Sequence, residues 1–389
     1  MKKLTKILSY VLVAAIAAGM TYGAMTYGPF ARGGEYTKLE QLSDLIQEKF
    51  IGEADVTGME DAAAEAMVDA LGDRWSYYIS ADAYDAHVDQ MNNAYVGVGI
   101  TISLADDGYL DIVQVSQGGT AEEAGILPGD VLIRVDGQDC AELGMDGTRN
   151  LVRGEEGTSV SLTVRRGEEI LNFKVMRAYF ETPVAVWQML DEDIGYIQIE
   201  NFDSRCADET IAAIEESVEA GATTLIFDVR NNPGGYKSEL VEVLDYLLPE
   251  GPLFRSEYYD GSTRVDESDA DCLEIPMVVM VNGESYSAAE FFAAALSEYG
   301  AATVVGSQTC GKGYFQQTYE LSDGSAVGLS VGKYYTPNGV SLAGVGITPD
   351  VEVEVSEEQL WQIYHGLLEP EEDPQVLAAI EVLKSGNES

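Results

Sequence analysis

Histidine is almost missing from this chain of 389 residues, which holds two, His87 and His365. Cysteine is scarce too: Cys140, Cys206, Cys272 and Cys310 are the only four, and none forms a C-x-x-C pair. That spacing argues against a zinc site, so no metal is expected. Four cysteines could pair in three ways in an exported protein, but a chain this long needs no disulfide staple, and they read as free thiols. Basic residues are few, 22 Lys and Arg against 67 Asp and Glu, for a formal charge of −45. Phosphate binding needs clustered Lys and Arg, so nucleic acid is excluded as a partner. Docking on anionic lipid through a basic patch is excluded on the same ground. The acidity is spread along the chain and reads as a solvated surface that keeps the protein soluble.

What the chain has is apolar mass, 46% of its residues. With its length, that indicates two or three domains with proper cores. Lys2, Lys3 and Lys6 precede an uncharged apolar run from Ile7 to about Met25. A positive segment followed by an apolar one is the pattern of an export signal. The run is nearly long enough to span a bilayer as a helix of roughly 20 residues. Ala15, Ala17 and Gly19 offer small residues for cleavage, yet the apolar run continues past them. Cleaved signal and retained single anchor both fit, with the anchor preferred. Either places the rest of the chain outside the cytosol, anchored to the cell membrane or secreted.

Residues 1–30 are accordingly assigned to this signal or anchor, and 31–93 to an N-terminal helical region. There Leu39, Leu42, Leu45, Ile46 and Phe50 recur at helical spacing, and 62–71 forms a second amphipathic stretch. The region is too short for a large core and is expected to pack on a neighbour or a second subunit. Residues 94–178 change to short β runs with turn signals: 96–102, 110–115, a strand in 128–137 closed by Asp136-Gly137, and a hairpin over 159–165 and 170–177. This order, with the Gly-Val-Gly-Ile run and the segment Ala124–Leu132, resembles a PDZ domain of the bacterial protease type. Such a domain takes a peptide C-terminus as an added strand and holds its carboxylate on the backbone amides of a Gly-rich loop. The resemblance puts that loop at Val96, Gly97, Val98, Gly99 and Ile100.

From 179 to 365 strand and helix alternate, with strands at 194–199, 224–229, 277–281 and 303–305 and helices at 207–220, 238–248 and 287–299. That is an α/β domain with a largely buried sheet. A helical tail over 366–389 follows.

Two strand-to-helix junctions in this domain could hold chemistry. One is Asp228-Val-Arg-Asn-Asn-Pro-Gly-Gly235, whose paired glycines allow a sharp turn that leaves amides facing a cleft. The other is Val281-Asn-Gly-Glu-Ser-Tyr-Ser-Ala-Ala-Glu290, which puts Ser287 at a helix start. Free amides and the positive end of the helix dipole favour an anion there. A serine nucleophile gains from that position, though a serine at a helix start is also an ordinary N-cap. His87 sits in the N-terminal helical region and His365 beyond the last strands, which argues against a Ser-His-Asp triad. A lysine can act as base if burial keeps its amine neutral. The segment has three, Lys237, Lys312 and Lys333. Lys237 reads as an exposed helix start. Lys333 completes the one Ser-x-x-Lys match, Ser330-Val-Gly-Lys333, but in a predicted strand where that motif needs a helix. Lys312 sits between glycines, which permit another backbone to approach closely or make a solvated turn.

The segments Asp228–Gly235, Ser285-Tyr-Ser-Ala-Ala-Glu290, Gly311-Lys-Gly313, Tyr335-Thr-Pro-Asn-Gly339 and Gly346-Ile-Thr-Pro-Asp350 stand in the order of the carboxyl-terminal processing peptidases. The chain resembles that family over nearly its whole length. The resemblance implies an α/β protease domain, a crossed β-sheet with flanking helices, beside the PDZ domain and the helical region. It implies Ser287 as nucleophile, Lys312 as general base and Gln316 as the residue that orients the lysine. It implies an oxyanion hole from the amides of Ala288 and of Gly234 or Gly235, and Arg153 as the PDZ residue that couples peptide binding to the site. It implies no cofactor, protein or peptide substrates with apolar C-termini, and a homodimer formed through terminal helices. The chain departs from the family pattern at Tyr286, Ala289 and Cys310, which bears on pocket shape and substrate preference. A non-catalytic PDZ scaffold that binds protein C-termini is the alternative, and the set Ser287, Lys312 and Gln316 counts against it. A cell-wall peptide hydrolase, which also uses Ser and Lys, is disfavoured by the lack of a helical Ser-x-x-Lys.

Overall fold

The structure, a computed structural model, describes residues 37–105, 107–364 and 367–386. The signal or anchor expected over 1–30 and His365 lie outside the described residues. Among the described residues no helix is long and apolar enough to cross a membrane. The chain divides into two units, 1–71 and 72–389.

The first unit contains helices α1 (Thr37–Lys49) and α2 (Val56–Asp69). Asp55 caps α2 by accepting from the Gly58 amide at 3.0 Å, which satisfies one of the four free donors of a helix start. Leu39, Leu42 and Leu45 of α1 and Met67 of α2 are exposed, so the helical periodicity is present without a core to fill.

The second unit opens with β1 (Tyr77–Ile79) and α3 (Ala81–Met91). The sequence reads 38–91 as one helical region, and β1 corrects that. Three residues are too few to show the alternation that marks a strand, and β1 is a strand because it finds an edge to pair with, described below.

The PDZ domain runs through β2 (Ala94–Gly97), β3 (Ile100–Leu104), β4 (Leu110–Val115), α4 (Thr120–Ala124), β5 (Val131–Val135), β6 (Gln138–Asp139), α5 (Cys140–Val152), β7 (Ser159–Arg166), β8 (Glu169–Met176) and β9 (Ala178–Glu181). Its sheet has the order β3-β4-β5-β7-β8, with β6 beside β5. Val160, Leu162 and Val164 alternate inward along β7, the period-two pattern of a half-buried strand, and join Leu110, Ile112, Ile126 and Leu132 in one core. The entering and leaving strands, β2 and β9, pair with each other rather than with this sheet. At the foot of that ribbon, Asn93 and Asn201 exchange side-chain hydrogen bonds, one Nδ2 to Oδ1 distance being 3.0 Å.

The rest is built from β10 (Ala185–Asp191), β11 (Ile194–Ile199), α6 (Cys206–Glu219), β12 (Thr224–Asp228), α7 (Lys237–Leu247), β13 (Gly251–Tyr258), β14 (Thr263–Ser268), β15 (Met277–Val281), α8 (Ala288–Glu298), β16 (Ala302–Gly306), β17 (Tyr314–Glu320), β18 (Ala326–Tyr335), β19 (Val351–Glu352), α9 (Glu357–Tyr364) and α10 (Pro374–Gly386). Its main sheet has the order β10-β11-β12-β15-β16-β19, parallel except for β10. Every residue of β12 and of β15 is buried, as expected of central parallel strands covered on both faces. One face packs under α6, α7 and α8. The other is covered by Val376, Ala379 and Leu383 of α10. In the second sheet β18 is flanked by β17 on one side, and by β1 and then β13 on the other, with β14 beyond.

Helix α8 is apolar but for Glu290 and buried from Ala288 to Leu296, between the main sheet and β13. Burying Phe291, Phe292 and Leu296 contributes roughly 1.5–3 kcal/mol per side chain. That burial fixes the helix whose N-terminus bears Ser287. No cysteine of the described residues is in a disulfide.

Candidate active site

Ser287 lies between the buried strand β15 and the buried helix α8, with φ 58° and ψ −123°. A side chain with positive φ outside glycine costs on the order of 1–3 kcal/mol and persists only where its surroundings enforce it. The enforcement here is local. Ser285 Oγ donates to the Val229 carbonyl (2.7 Å) and accepts from the Asn282 amide (3.0 Å). Asn231 and Asn282 exchange bonds of 3.0 and 2.9 Å, and the Tyr286 amide donates to the Asn232 carbonyl (3.1 Å). The two strand-to-helix junctions singled out in the sequence are thus stitched into one surface.

Gly234 and Gly235 belong to that surface for different reasons. A Cβ on Gly234, with φ +92°, would lie 2.7 Å from Ser287 Cβ and 2.9 Å from the Ala288 nitrogen. A Cβ on Gly235 would lie 2.2 Å from the Phe202 carbonyl carbon. The Gly234 amide is already engaged, donating to Asn232 Oδ1 at 2.8 Å. Among the described residues the amides of Gly235 and Ala288 have no acceptor. Between the two glycines expected to donate to an oxyanion, Gly235 is the one with a donor to spare.

Lys312 follows β16 in a loop held by Glu290. The buried Glu290 carboxylate accepts from the Ser287 amide (3.0 Å) and the Lys312 amide (2.9 Å) on Oε2, and from the Gly311 amide (2.7 Å) and Thr309 Oγ1 (2.5 Å) on Oε1. Burial pushes its pKa up, and these four donors pull it part of the way back. Glycine flanks Lys312 because the 343–346 backbone comes against it: a Cβ on Gly313 would sit 2.6 Å from Ala343, and one on Gly311 2.9 Å from the Val345 nitrogen.

The Lys312 amine lies against two neighbouring aromatic rings, its Nζ 4.7 Å from the Trp75 centroid and 5.8 Å from that of Tyr286. Burial lowers its pKa from 10.5 to about 8, against the pull of Cys310, Asp73 and Glu290; Arg74 adds to the lowering. Its amine makes no ion pair among the described residues. Gln316, expected to orient the amine, donates its Nε2 to Ser330 Oγ at 2.9 Å. The Tyr334 hydroxyl, deeply buried and pushed up by that burial, faces the Ser287 hydroxyl, which tempers the shift. Lys333 pairs in β18 with Tyr314 and Glu257, and Lys237 forms an ion pair with Asp266 at 2.6 Å. His87 lies beside Tyr77, ring centroids 5.8 Å apart and tilted by 51°, in the segment before the PDZ domain.

Sequence reasoning missed Trp75, Asp73 and Tyr334, and it gave Glu290 no role. Ser287-Ala-Ala-Glu290 has the spacing of a capping box, which could have drawn attention to Glu290. No periodic signal pointed to Trp75.

In the PDZ domain the expected loop narrows. Val96 and Gly97 are not part of it, because they spend their backbone on β9, opposite Tyr179 and Ala178. The Val98 carbonyl accepts from the Ala121 amide (3.0 Å) and the Gly99 carbonyl from the Ser116 amide (2.9 Å). The amides of Val98 and Gly99 have no acceptor among the described residues, the condition for an anion-binding turn. Ile100 then starts β3, an edge strand bonded on one side to β4. Arg153, at the end of α5, sits over the Tyr95 ring at 5.5 Å, and Tyr95 stacks on Phe180 at 5.4 Å. This places Arg153 against the β2–β9 ribbon.

Comparison with known proteins matches residues 193–353 to peptidase family S41 and residues 112–166 to the PDZ domain. The chain is 30% identical over 366 residues to the carboxy-terminal processing protease CtpA of Bacillus subtilis (strain 168), covering 91% of this chain and 78% of that one. It is 29% identical over 323 residues to a CtpA-like serine protease of Staphylococcus haemolyticus (strain JCSC1435), covering 82% of this chain and 65% of the relative. A solved S41 protease structure from Bacteroides fragilis shares the fold, with a TM-score of 0.53 at 16% identity over 87% of this chain and all of that one.

Proposed function

Because the chain belongs to peptidase family S41, as a serine-type peptidase of the carboxy-terminal processing group with a PDZ domain, we propose that it hydrolyses protein substrates near apolar C-termini outside the cytosol, with Ser287 as nucleophile and Lys312 as base. The observation that carries this reading is the shared Glu290 oxygen, which ties the Ser287 and Lys312 backbones to one point. A neutral Lys312 amine takes the Ser287 proton as Oγ attacks the scissile carbonyl. The oxyanion is received by the amides of Ala288 and Gly235 at the positive end of α8. Protonated Lys312 gives its proton to the leaving amine, and water then attacks the acyl-enzyme with Lys312 again as base. Gln316, held to Ser330 through its Nε2, would orient the amine.

The substrate tail would add to the free edge of β3, its carboxylate on the amides of Val98 and Gly99. The N-terminal segment 1–30 supports export, and the exposed leucines of α1 would be covered in a homodimer. The test is labelling by a fluorophosphonate together with cleavage of an unfolded protein with an apolar C-terminus. Wild type should label and cleave, and Ser287→Ala should do neither. Binding of the tail without labelling or cleavage by wild type would instead describe a scaffold.

A further inference from the structure

Residues 73–79, ahead of the PDZ domain, reach the base from outside the stretch matched to the peptidase family. Asp73 accepts from Ser76 Oγ (2.6 Å) and the Trp75 amide (3.2 Å), and Ser76 Oγ accepts from the Ser330 amide (3.1 Å). β1 then pairs with β18, Tyr77 opposite Gly328, and the Tyr77 ring fills the space a Cβ on Gly328 would need, 2.2 Å away. The Tyr77 hydroxyl meets Thr318 Oγ1 at 2.9 Å. The segment is therefore fixed to β18, the strand that also bears Ser330 and Tyr334.

That anchoring sets the Trp75 indole against Lys312. The Trp75 and Tyr286 rings lie 5.8 Å apart at 36°, with the Lys312 amine within 6 Å of both centroids, and the Arg74 guanidinium covers the indole at 4.2 Å. A lysine tail has four rotatable bonds and is free to wander unless walled in. We propose that Trp75 is a positioning residue for Lys312, its indole and the adjoining Tyr286 ring forming the wall that aims the amine and keeps water from it. The inference rests on Lys312 being the base.

The charges around the amine make this testable. Cys310 and Glu290 from the peptidase domain and Asp73 from the strap favour its protonated form, as do the faces of the two rings. Arg74 opposes it, and exclusion of water opposes it most. Taking the indole away admits water and frees the tail. The rate should then fall, and its acid limb should move towards the pH of an ordinary lysine.

The experiment measures kcat and KM from pH 6 to 10 on an unfolded protein substrate for wild type, Trp75→Ala, Trp75→Phe, Trp75→Leu and Lys312→Ala. Trp75→Ala is expected to lower kcat by about 10-fold or more at pH 7, with KM little changed. Its acid limb should rise by about one pH unit. Trp75→Phe should restore the midpoint and most of the rate. If Trp75→Ala does not fold by circular dichroism, Trp75→Leu is judged by the same midpoint. A wild-type midpoint in the folded variant overturns the inference, whatever the rate. Activity in Lys312→Ala overturns the dyad itself, whereas an inactive Lys312→Ala beside an unshifted Trp75 variant overturns the positioning role alone.

Discussion

The amides of Ser287 and Lys312 end on one atom, Oε2 of Glu290, at 3.0 and 2.9 Å. Two residues 25 positions apart in sequence are thereby held by a single carboxylate, which also takes Gly311 and Thr309. Glu290→Ala leaves buried donors unpaired and opens a void, and should lower stability by about 3 kcal/mol or more. Glu290→Gln keeps the shape but offers one acceptor oxygen in place of two. It should fold with a smaller loss and still cut far more slowly than wild type, with fluorophosphonate labelling slowed in step. Urea melts and labelling rates measure the two effects, and a fully active Glu290→Gln would remove the clamp from the mechanism.

Lys312 links activity and stability through pH. With a folded pKa of about 8, the neutral amine accumulates as pH rises through 8, so kcat/KM should climb through that region if it is the proposed base. The unfolded lysine keeps its proton to about 10.4. Between about 8 and that value the unfolded chain binds more protons, so stability contributed at this site rises with pH. Below about 8 the full cost of burying the charge is present, a gap of about 2.5 pH units or about 3 kcal/mol. Lys312→Met should therefore be inactive yet more stable at pH 7, with the gain shrinking towards pH 10. Paired urea melts at the two pH values check the sign.

The two loop glycines should respond differently. Gly234→Ala puts a methyl against Ser287 and Ala288, so labelling of Ser287 should fall by about 100-fold. Gly235→Ala drives a methyl into the Phe202 backbone, 2.2 Å from its carbonyl carbon, at φ +152°. No flexible side chain is there to yield, so this variant should lose several kcal/mol, on the order of 3. Thermal melts beside labelling separate the cases, and equal stability of the two variants would contradict this assignment.

What could be read from sequence followed what is local. Ser287 was legible because a buried strand, a turn and an apolar helix are consecutive, and the glycines around Lys312 announced a close backbone approach. The choice of Lys312 over Lys333 needed a family resemblance, since Gly-Lys-Gly alone also describes a solvated turn. Trp75 was illegible because β1 has three residues and owes its existence to the edge of β18, some 250 positions away. Val96 and Gly97 misled for a similar reason. Their Gly-rich texture suits a loop, but β9 claims them as a strand.

The same remoteness hides what steadies the loop before Gly234. Arg230 is buried with its Nη2 on Asp228 (2.6 Å) and its Nη1 on Asp373 (2.7 Å) and Gln375 (2.9 Å), the last two from the start of α10. The Tyr196 hydroxyl donates to Asp228 at 2.5 Å. The two carboxylates hold the Arg230 guanidinium well above the usual arginine value despite its burial. Asp373→Asn leaves Arg230 with one fewer charge partner and should cost about 3 kcal/mol, because breaking a buried pair strands a charge. Arg230 directly follows Val229, whose carbonyl holds Ser285, so the loss should reach Ser287 and slow labelling as well. Since Asp373 and Gln375 share Nη1, the double variant should lose less than the sum of the singles, a coupling readable in a double-mutant cycle by urea melts. Additive losses would mean that the two residues act on α10 alone, and that the C-terminal helix has no hold on the loop beside Ser287.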